Sequence, residues 1–222
     1  MKFNFSHLGM VVALAGFTAV LGFAKAADAH DWSGFYVGAE AGYGFDQSRL
    51  DFNGINYFVP LDPQGIVAGL YAGANYQMPS NLVLGVEVDA NFLGAQSSGL
   101  AGNNAGVPDP KFGYYSKEKL NGALRGRVGY ASGRFMPFVA GGLAVADYEH
   151  GAAFVGLFSA DKTYVGWTLG AGLEYAATDK LVLRAEYRYA NYGSQHFVVP
   201  GWTDSDVNLY TNEVLVGVSF KF

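Results

Sequence analysis

The sequence predicts an all-β fold: an eight-stranded antiparallel up-and-down transmembrane β-barrel with four long external loops and short periplasmic turns. Three observations carry that prediction. Eight segments alternate between apolar and small or polar residues with a period of two, the pattern of strands rather than helices. Long polar segments and tight turns take turns between them, so that each strand runs antiparallel to the next. Aromatic residues on the apolar faces gather at the two ends of the segments, as side chains do at the two interfaces of a bilayer.

Composition narrows the class in the same direction. The 222 residues include 31 glycines and no cysteine; half are hydrophobic, 15% are charged, and the net charge is -5. The glycines follow no three-residue repeat, which excludes collagen, and the abundance of apolar and aromatic residues excludes a disordered chain. Without cysteine there is no disulfide framework and no thiolate-ligated zinc or iron-sulfur site. An acidic balance with no run of Lys and Arg argues against nucleic acid as the main partner.

Residues 1–26 are expected to be a signal peptide rather than part of the fold. Lys2 and His7 precede an apolar stretch from Leu8 to Phe23, and small residues follow, so cleavage is expected after Ala26 or Ala29. The apolar stretch is shorter than the ~20 residues a membrane-spanning helix needs. Residues 27–33 then form a short N-terminal segment, and 34–222 the barrel.

The strands can be justified in order. In the first, Phe35, Val37, Ala39, Ala41, Tyr43 and Phe45 alternate with Tyr36, Gly38, Glu40, Gly42 and Gly44. From Ile66 to Gln77, Ile66, Ala68, Leu70, Ala72, Ala74 and Tyr76 oppose Gly69, Tyr71, Gly73, Asn75 and Gln77. The cluster Pro79-Ser80-Asn81 turns the chain into a third strand, where Leu82, Leu84, Val86, Val88, Ala90 and Phe92 oppose Gly85, Glu87, Asp89 and Asn91. A fourth, from Leu120 to Tyr130, sets Leu120, Leu124, Val128 and Tyr130 against Asn121, Arg125 and Arg127. After the turn Ala131-Ser132-Gly133-Arg134, the fifth strand, about 135–147, is apolar or small on both faces, and its phase stays open. In the sixth, Val165, Trp167, Leu169, Ala171, Leu173 and Tyr175 oppose Gly166, Thr168, Gly170, Gly172 and Glu174. A turn at Ala177-Thr178-Asp179 leads to the seventh, with Leu183, Ala185, Tyr187 and Tyr189 against Arg184, Glu186 and Arg188. The eighth sets Tyr210, Val214, Val216, Val218, Phe220 and Phe222 against Thr211, Glu213, Gly217, Ser219 and Lys221. The long connections are expected at about 46–65, 94–117, 148–162 and 191–208.

Alternation alone does not say which face is outside, since a soluble barrel turns its apolar face inward. The glycines crowd the polar face, which suits a narrow lumen that must also house long charged side chains. Aromatics mark both rims of the apolar face: Tyr43, Phe45, Phe92, Tyr187, Tyr189 and Tyr210 at one end, Tyr76, Tyr130, Tyr175, Phe220 and Phe222 at the other. The apolar face is therefore expected to meet lipid.

The opening Asp31-Trp32-Ser33-Gly34-Phe35-Tyr36-Val37-Gly38, the stretch Pro137-Phe138-Val139-Ala140-Gly141-Gly142, the strand Arg184-Ala185-Glu186-Tyr187-Arg188-Tyr189 and the closing Val216-Gly217-Val218-Ser219-Phe220-Lys221-Phe222 resemble the small outer-membrane immunogenic protein family of alphaproteobacteria, an opacity-like relative of the eight-stranded barrel domain. The resemblance spans essentially the whole mature chain. It implies a bacterial outer-membrane location, and it makes Phe220 and Phe222 the expected signal for the outer-membrane assembly machinery. Family members are mostly structural surface proteins or porins, and some bind haem, so membership informs location more than activity.

With polar faces inward, the expected lumen holds Glu40, Glu87, Asp89, Glu174, Glu186 and Glu213 with Arg125, Arg127, Arg184, Arg188 and Lys221. Such a balance reads as mutually paired ions in a barrel that side chains can fill, and the alternative is a narrow, ion-selective porin. Enzymatic signals are poor. Ser194 and His196 are the nearest thing to a catalytic pair, Gly170 and Gly172 lack the third glycine of a dinucleotide site, and no metal site is expected. No cofactor is expected. The haem alternative would use His150 and His196, in different external loops, with Tyr148, Phe154, Phe158, Tyr192 and Phe197 nearby. Loop residues Phe154, Val155, Leu157 and Phe158 could also meet a host ligand or lipopolysaccharide, the expected partners together with outer-membrane lipid.

Overall fold

A computed structural model of the chain describes residues 30–52, 58–61, 64–93, 96–102, 108–153, 158–197 and 205–222, with side chains described over 30–45, 64–92, 120–147, 163–193 and 210–222. The expected signal peptide and both cleavage positions lie outside the described residues, as do Phe154, Val155 and Leu157.

Eight long strands form the wall: β1 (Gly34–Phe52), β3 (Gln64–Gln77), β4 (Leu82–Leu93), β6 (Pro108–Tyr130), β7 (Phe135–Ala153), β8 (Phe158–Ala176), β9 (Leu181–Phe197) and β10 (Ser205–Lys221). Each pairs antiparallel with its neighbours in chain order, and β10 returns to β1, with Tyr36 opposite Lys221 and Tyr43 opposite Val214. The sheet is thus a closed barrel without an edge along the bilayer, as an environment without water requires. Two short strands, β2 (Phe58–Leu61) and β5 (Gln96–Gly102), pair with the far ends of β1 and β6.

The tight turns all lie at one end. Asn81 supplies a left-handed residue (φ 65°) to the β3–β4 turn, a conformation Asn tolerates, and Gly133 (φ 60°) does so for the β6–β7 turn. In the β8–β9 turn the Thr178 hydroxyl accepts a hydrogen bond from the Leu181 amide at 2.9 Å. At this turn end the Phe222 amide donates to the Phe35 carbonyl, which joins the chain's last residue to the start of β1.

The strands continue well beyond the connections expected from the sequence. Much of 46–65, 94–117, 148–162 and 191–208 is paired strand, and β6 alone runs for 23 residues, although ~9–11 suffice to cross a bilayer. Past the apolar belt both faces of a strand can be solvated, so the backbone ladder continues without the alternation that reveals it in sequence. His150 and His196, expected in loops, therefore sit in β7 and β9, opposite Ala160 and Asp206 and separated by β8.

The apolar faces point outward as expected: Leu70, Val86, Leu124, Leu169 and Val216 are all more than half exposed. Rim aromatics stack along the wall, with Trp167, Tyr189 and Tyr210 toward the loop end and Phe135 against Tyr175 at the turn end. The open phase of the fifth strand is settled by β7. Phe135, Val139, Leu143 and Val145 face out, and Met136, Phe138, Ala140, Ala144 and Ala146 are buried inside.

Short turns are periplasmic in barrels of this architecture. Protease added to intact cells is accordingly expected to cut, if anywhere, at the loop end, for example near Lys111 or Lys117, although the pairing of Lys117 with Gln96 and Glu149 will slow cleavage there, and to spare Arg134 until the outer membrane is opened. Cleavage after Arg134 in intact cells would reverse the ends.

Candidate functional site: the charged lumen

Pleating brings ten ionisable side chains to the interior. Glu40 from β1, Glu87 and Asp89 from β4, Arg125 and Arg127 from β6, Glu174 from β8, Arg184, Glu186 and Arg188 from β9, and Glu213 from β10 are each 5% exposed or less. Two of them act as hubs. Glu87 takes charge from three guanidiniums: Arg125 at 2.5 Å, Arg127 at 3.3 Å and Arg184, which grips both of its oxygens at 3.0 and 2.5 Å. The Tyr36 hydroxyl also donates to Glu87 at 2.7 Å and receives a hydrogen bond from Arg127 at 2.9 Å. Arg188 is the counterpart, reaching Glu40 and Asp89 at 3.2 Å, Glu186 at 3.3 Å and Glu213 at 3.7 Å. Glu174 joins Arg184 to Arg127, and Glu186 joins Arg125 to Arg188. Bidentate guanidinium-carboxylate geometry of this kind is among the stronger charge-assisted pairings.

Aromatic and amide groups support the ions, and these were not singled out as site residues in the sequence. The Arg184 guanidinium lies over the Tyr71 ring at 4.1 Å, and that of Arg127 over Phe138 at 4.4 Å. Asn121 donates to Glu213 at 3.1 Å and Asn91 to Asp89 at 3.0 Å. Tyr71, Asn91 and Asn121 were legible on the polar face; Phe138 was hidden by the undecided phase of its strand. Glycine makes the room. A Cβ at Gly38 would run into the Tyr71 ring, and one at Gly172 would sit 2.8 Å from Phe138.

Lys221 departs from the expected set. Although it shares the inner face of β10, it is the strand's last residue and stands at the turn-end rim, where its Nζ donates to the Asp31 carbonyl. The buried network is therefore six carboxylates against four guanidiniums.

Apolar clusters flank the network toward both ends of the barrel. At the turn end Trp32, Val83, Ala131, Met136, Ala176 and Val182 pack into a floor. Toward the loop end Ala144, Ala146, Tyr164, Ala190 and Tyr192 form a second cluster on the inner wall of β7, β8 and β9, so Tyr192, expected as a loop residue, is a buried strand residue. Between them a cavity of about 10 Å³ touches Asp89, Asn121, Arg188, Thr211 and Glu213, roughly the space of one water. Among the described residues no group of His, Asp and Glu has the arrangement of a metal site. The side chains of His150 and His196 lie outside the described residues.

A family model described as "Outer membrane protein beta-barrel domain" matches residues 11–222. The chain belongs to this family. Among curated relatives, it is 34% identical over 198 residues to the 25 kDa outer-membrane immunogenic protein of Brucella abortus, covering 89% of this chain and 83% of the relative. It is 32% identical to the 31 kDa outer-membrane immunogenic protein of Brucella melitensis over 88% and 85% of the two chains, and 30% identical to the 22 kDa outer membrane protein of Rhizobium leguminosarum over 87% and 80%. Among solved structures the outer membrane protein OprG of Pseudomonas aeruginosa matches with a TM-score of 0.57 at 13% identity, over 89% of this chain and 99% of that one. The resemblance read from the opening and closing motifs thus holds for the family. The outer membrane is the location, and the barrel is the form in which the family crosses it.

Proposed function

We propose that the protein is a structural, non-enzymatic surface barrel of the outer membrane whose lumen is closed by paired charges. The observation that carries this reading is the burial of the Glu87 and Arg188 hubs, with every charged group of the network nearly inaccessible and an apolar floor beneath them at the turn end. A continuous water-filled path needs a wider barrel, since eight strands enclose just the space their side chains fill, against about 16 to 18 strands in aqueous porins. The long strand extensions at the loop end are the surface offered to partners, with outer-membrane lipid and lipopolysaccharide as the partner class. Phe220 and Phe222, outward-facing and in edge contact at 5.4 Å, are the assembly signal.

Reconstitution in a planar bilayer tests the closed lumen. Wild-type protein is expected to give little or no steady conductance. A large, stable conductance at neutral pH would replace this reading with a narrow porin. A Soret titration of the folded barrel is expected to show no stoichiometric haem binding.

A further inference from the structure

The floor of the lumen is not made by the barrel strands alone. Trp32 precedes β1, yet it is 2% exposed and packs against Val83, Met136 and Val182 from three different strands. Its amide donates to the Gln77 side chain at 2.9 Å, the Gln77 amide donates to the Ser33 hydroxyl at 3.1 Å, and Lys221 holds the Asp31 carbonyl. His30 stands edge-on to the indole at 4.8 Å and is 7% exposed, with a buried Nε2 that has no hydrogen-bond partner among the described residues. A four-residue segment outside the barrel ladder thus caps the turn-end mouth, held by one indole, a few hydrogen bonds and a buried imidazole.

We propose that His30–Ser33 is a releasable latch, closed over the lumen at neutral pH and released by acid to open the network to the periplasmic side. The inference rests on the closed-lumen reading and adds a condition to it. Protonating His30 places a cation in a site where, among the described residues, its Nε2 has no acceptor. The charged groups around it are Lys221 on β10, Arg134 in the β6–β7 turn, Asp179 in the β8–β9 turn and the neighbouring Asp31. Burial first, and Lys221 next, hold the imidazole below its ordinary value of 6.5, while Asp179 and Asp31 only partly oppose them. A depressed value in the latched state means that protons bind the released state better. The latch is intact above pH 6.5 and is lost progressively as the pH falls below it.

The test uses the mature barrel in nanodiscs, where both ends meet solvent, with Trp167→Phe and Trp202→Phe leaving Trp32 as the reporter. Acrylamide quenching of Trp32 is expected to be weak at pH 8 and to rise severalfold on acidification below pH 6.5, while the far-UV spectrum of the barrel stays unchanged. His30→Phe, which keeps the aromatic edge contact without a proton site, should hold quenching at the weak level throughout, and His30→Gln should do the same. Quenching that is equal at both pH values, or a transition that survives in both variants, would overturn the latch. Conductance at pH 8 with Trp32 still shielded would overturn the closed lumen and the latch with it, whereas pH-independent quenching in a non-conducting barrel would overturn the latch alone.

Discussion

Glu87→Ala is expected to destabilise the barrel by about 3–5 kcal/mol, the cost of removing one partner from a buried ion pair. The position is worse than most because three guanidiniums converge on it. Arg184 loses the carboxylate that meets both of its terminal nitrogens, and the carboxylates left to Arg125 and Arg127 are Glu186, Asp89 and Glu174. Little water can enter to compensate, since the neighbourhood is closed by Phe138, Tyr36 and Tyr71. Glu186→Ala should also be damaging, as it leaves contacts from Arg125, Arg184 and Arg188 short of a partner. Urea unfolding in lipid vesicles measures both, and conductance should rise if the loss loosens the packing. A Glu87→Ala barrel as stable as wild type, with altered ion selectivity in an already conducting protein, would sink the structural reading of the network.

Val86→Arg is expected to cost about 2–4 kcal/mol, the penalty for a lipid-facing cation near the bilayer midplane. Val86 is 60% exposed and lies midway along β4 between Leu82, opposite Tyr130 at the turn rim, and Phe92 at the loop rim. Its neighbour Gly85 points inward. From the sequence, Gly85→Ser reads as mild, because a small side chain should fit a lumen. The structure corrects this: a Cβ there would meet the Ala74 carbonyl oxygen at 2.8 Å and Arg127 Cγ at 2.9 Å, so backbone must move. Both substitutions should therefore destabilise, but for opposite reasons, and lipid thickness should modulate only Val86→Arg. A neutral Val86→Arg in the same vesicle unfolding assay would place the residue away from the hydrocarbon.

Much of the candidate site was legible because facing is a local property of a strand. Glu87 and Asp89, or Arg184, Glu186 and Arg188, share a side by pleating alone, whatever the rest of the chain does. The fifth strand shows the limit of that signal. With Met136, Phe138, Ala140 and Ala144 on one face and Val139, Leu143 and Val145 on the other, hydrophobicity does not distinguish lumen from lipid. The strand extensions were illegible for a related reason, since outside the bilayer neither face has to be apolar.

By itself, then, the sequence determined the barrel class, the inward set of charges and the apolar belt, all of which follow from a two-residue period repeated in segments. Only the tertiary structure decided the partners. Arg184 meets Glu87 from a strand that is not its neighbour, 97 residues away in the chain, because closing the barrel folds one wall onto the other. Closure likewise brought Trp32 under Val83, Met136 and Val182, and left Lys221 at the rim holding Asp31 instead of joining the network. Facing depends on the backbone within one strand, whereas pairing across a lumen depends on the register of all eight.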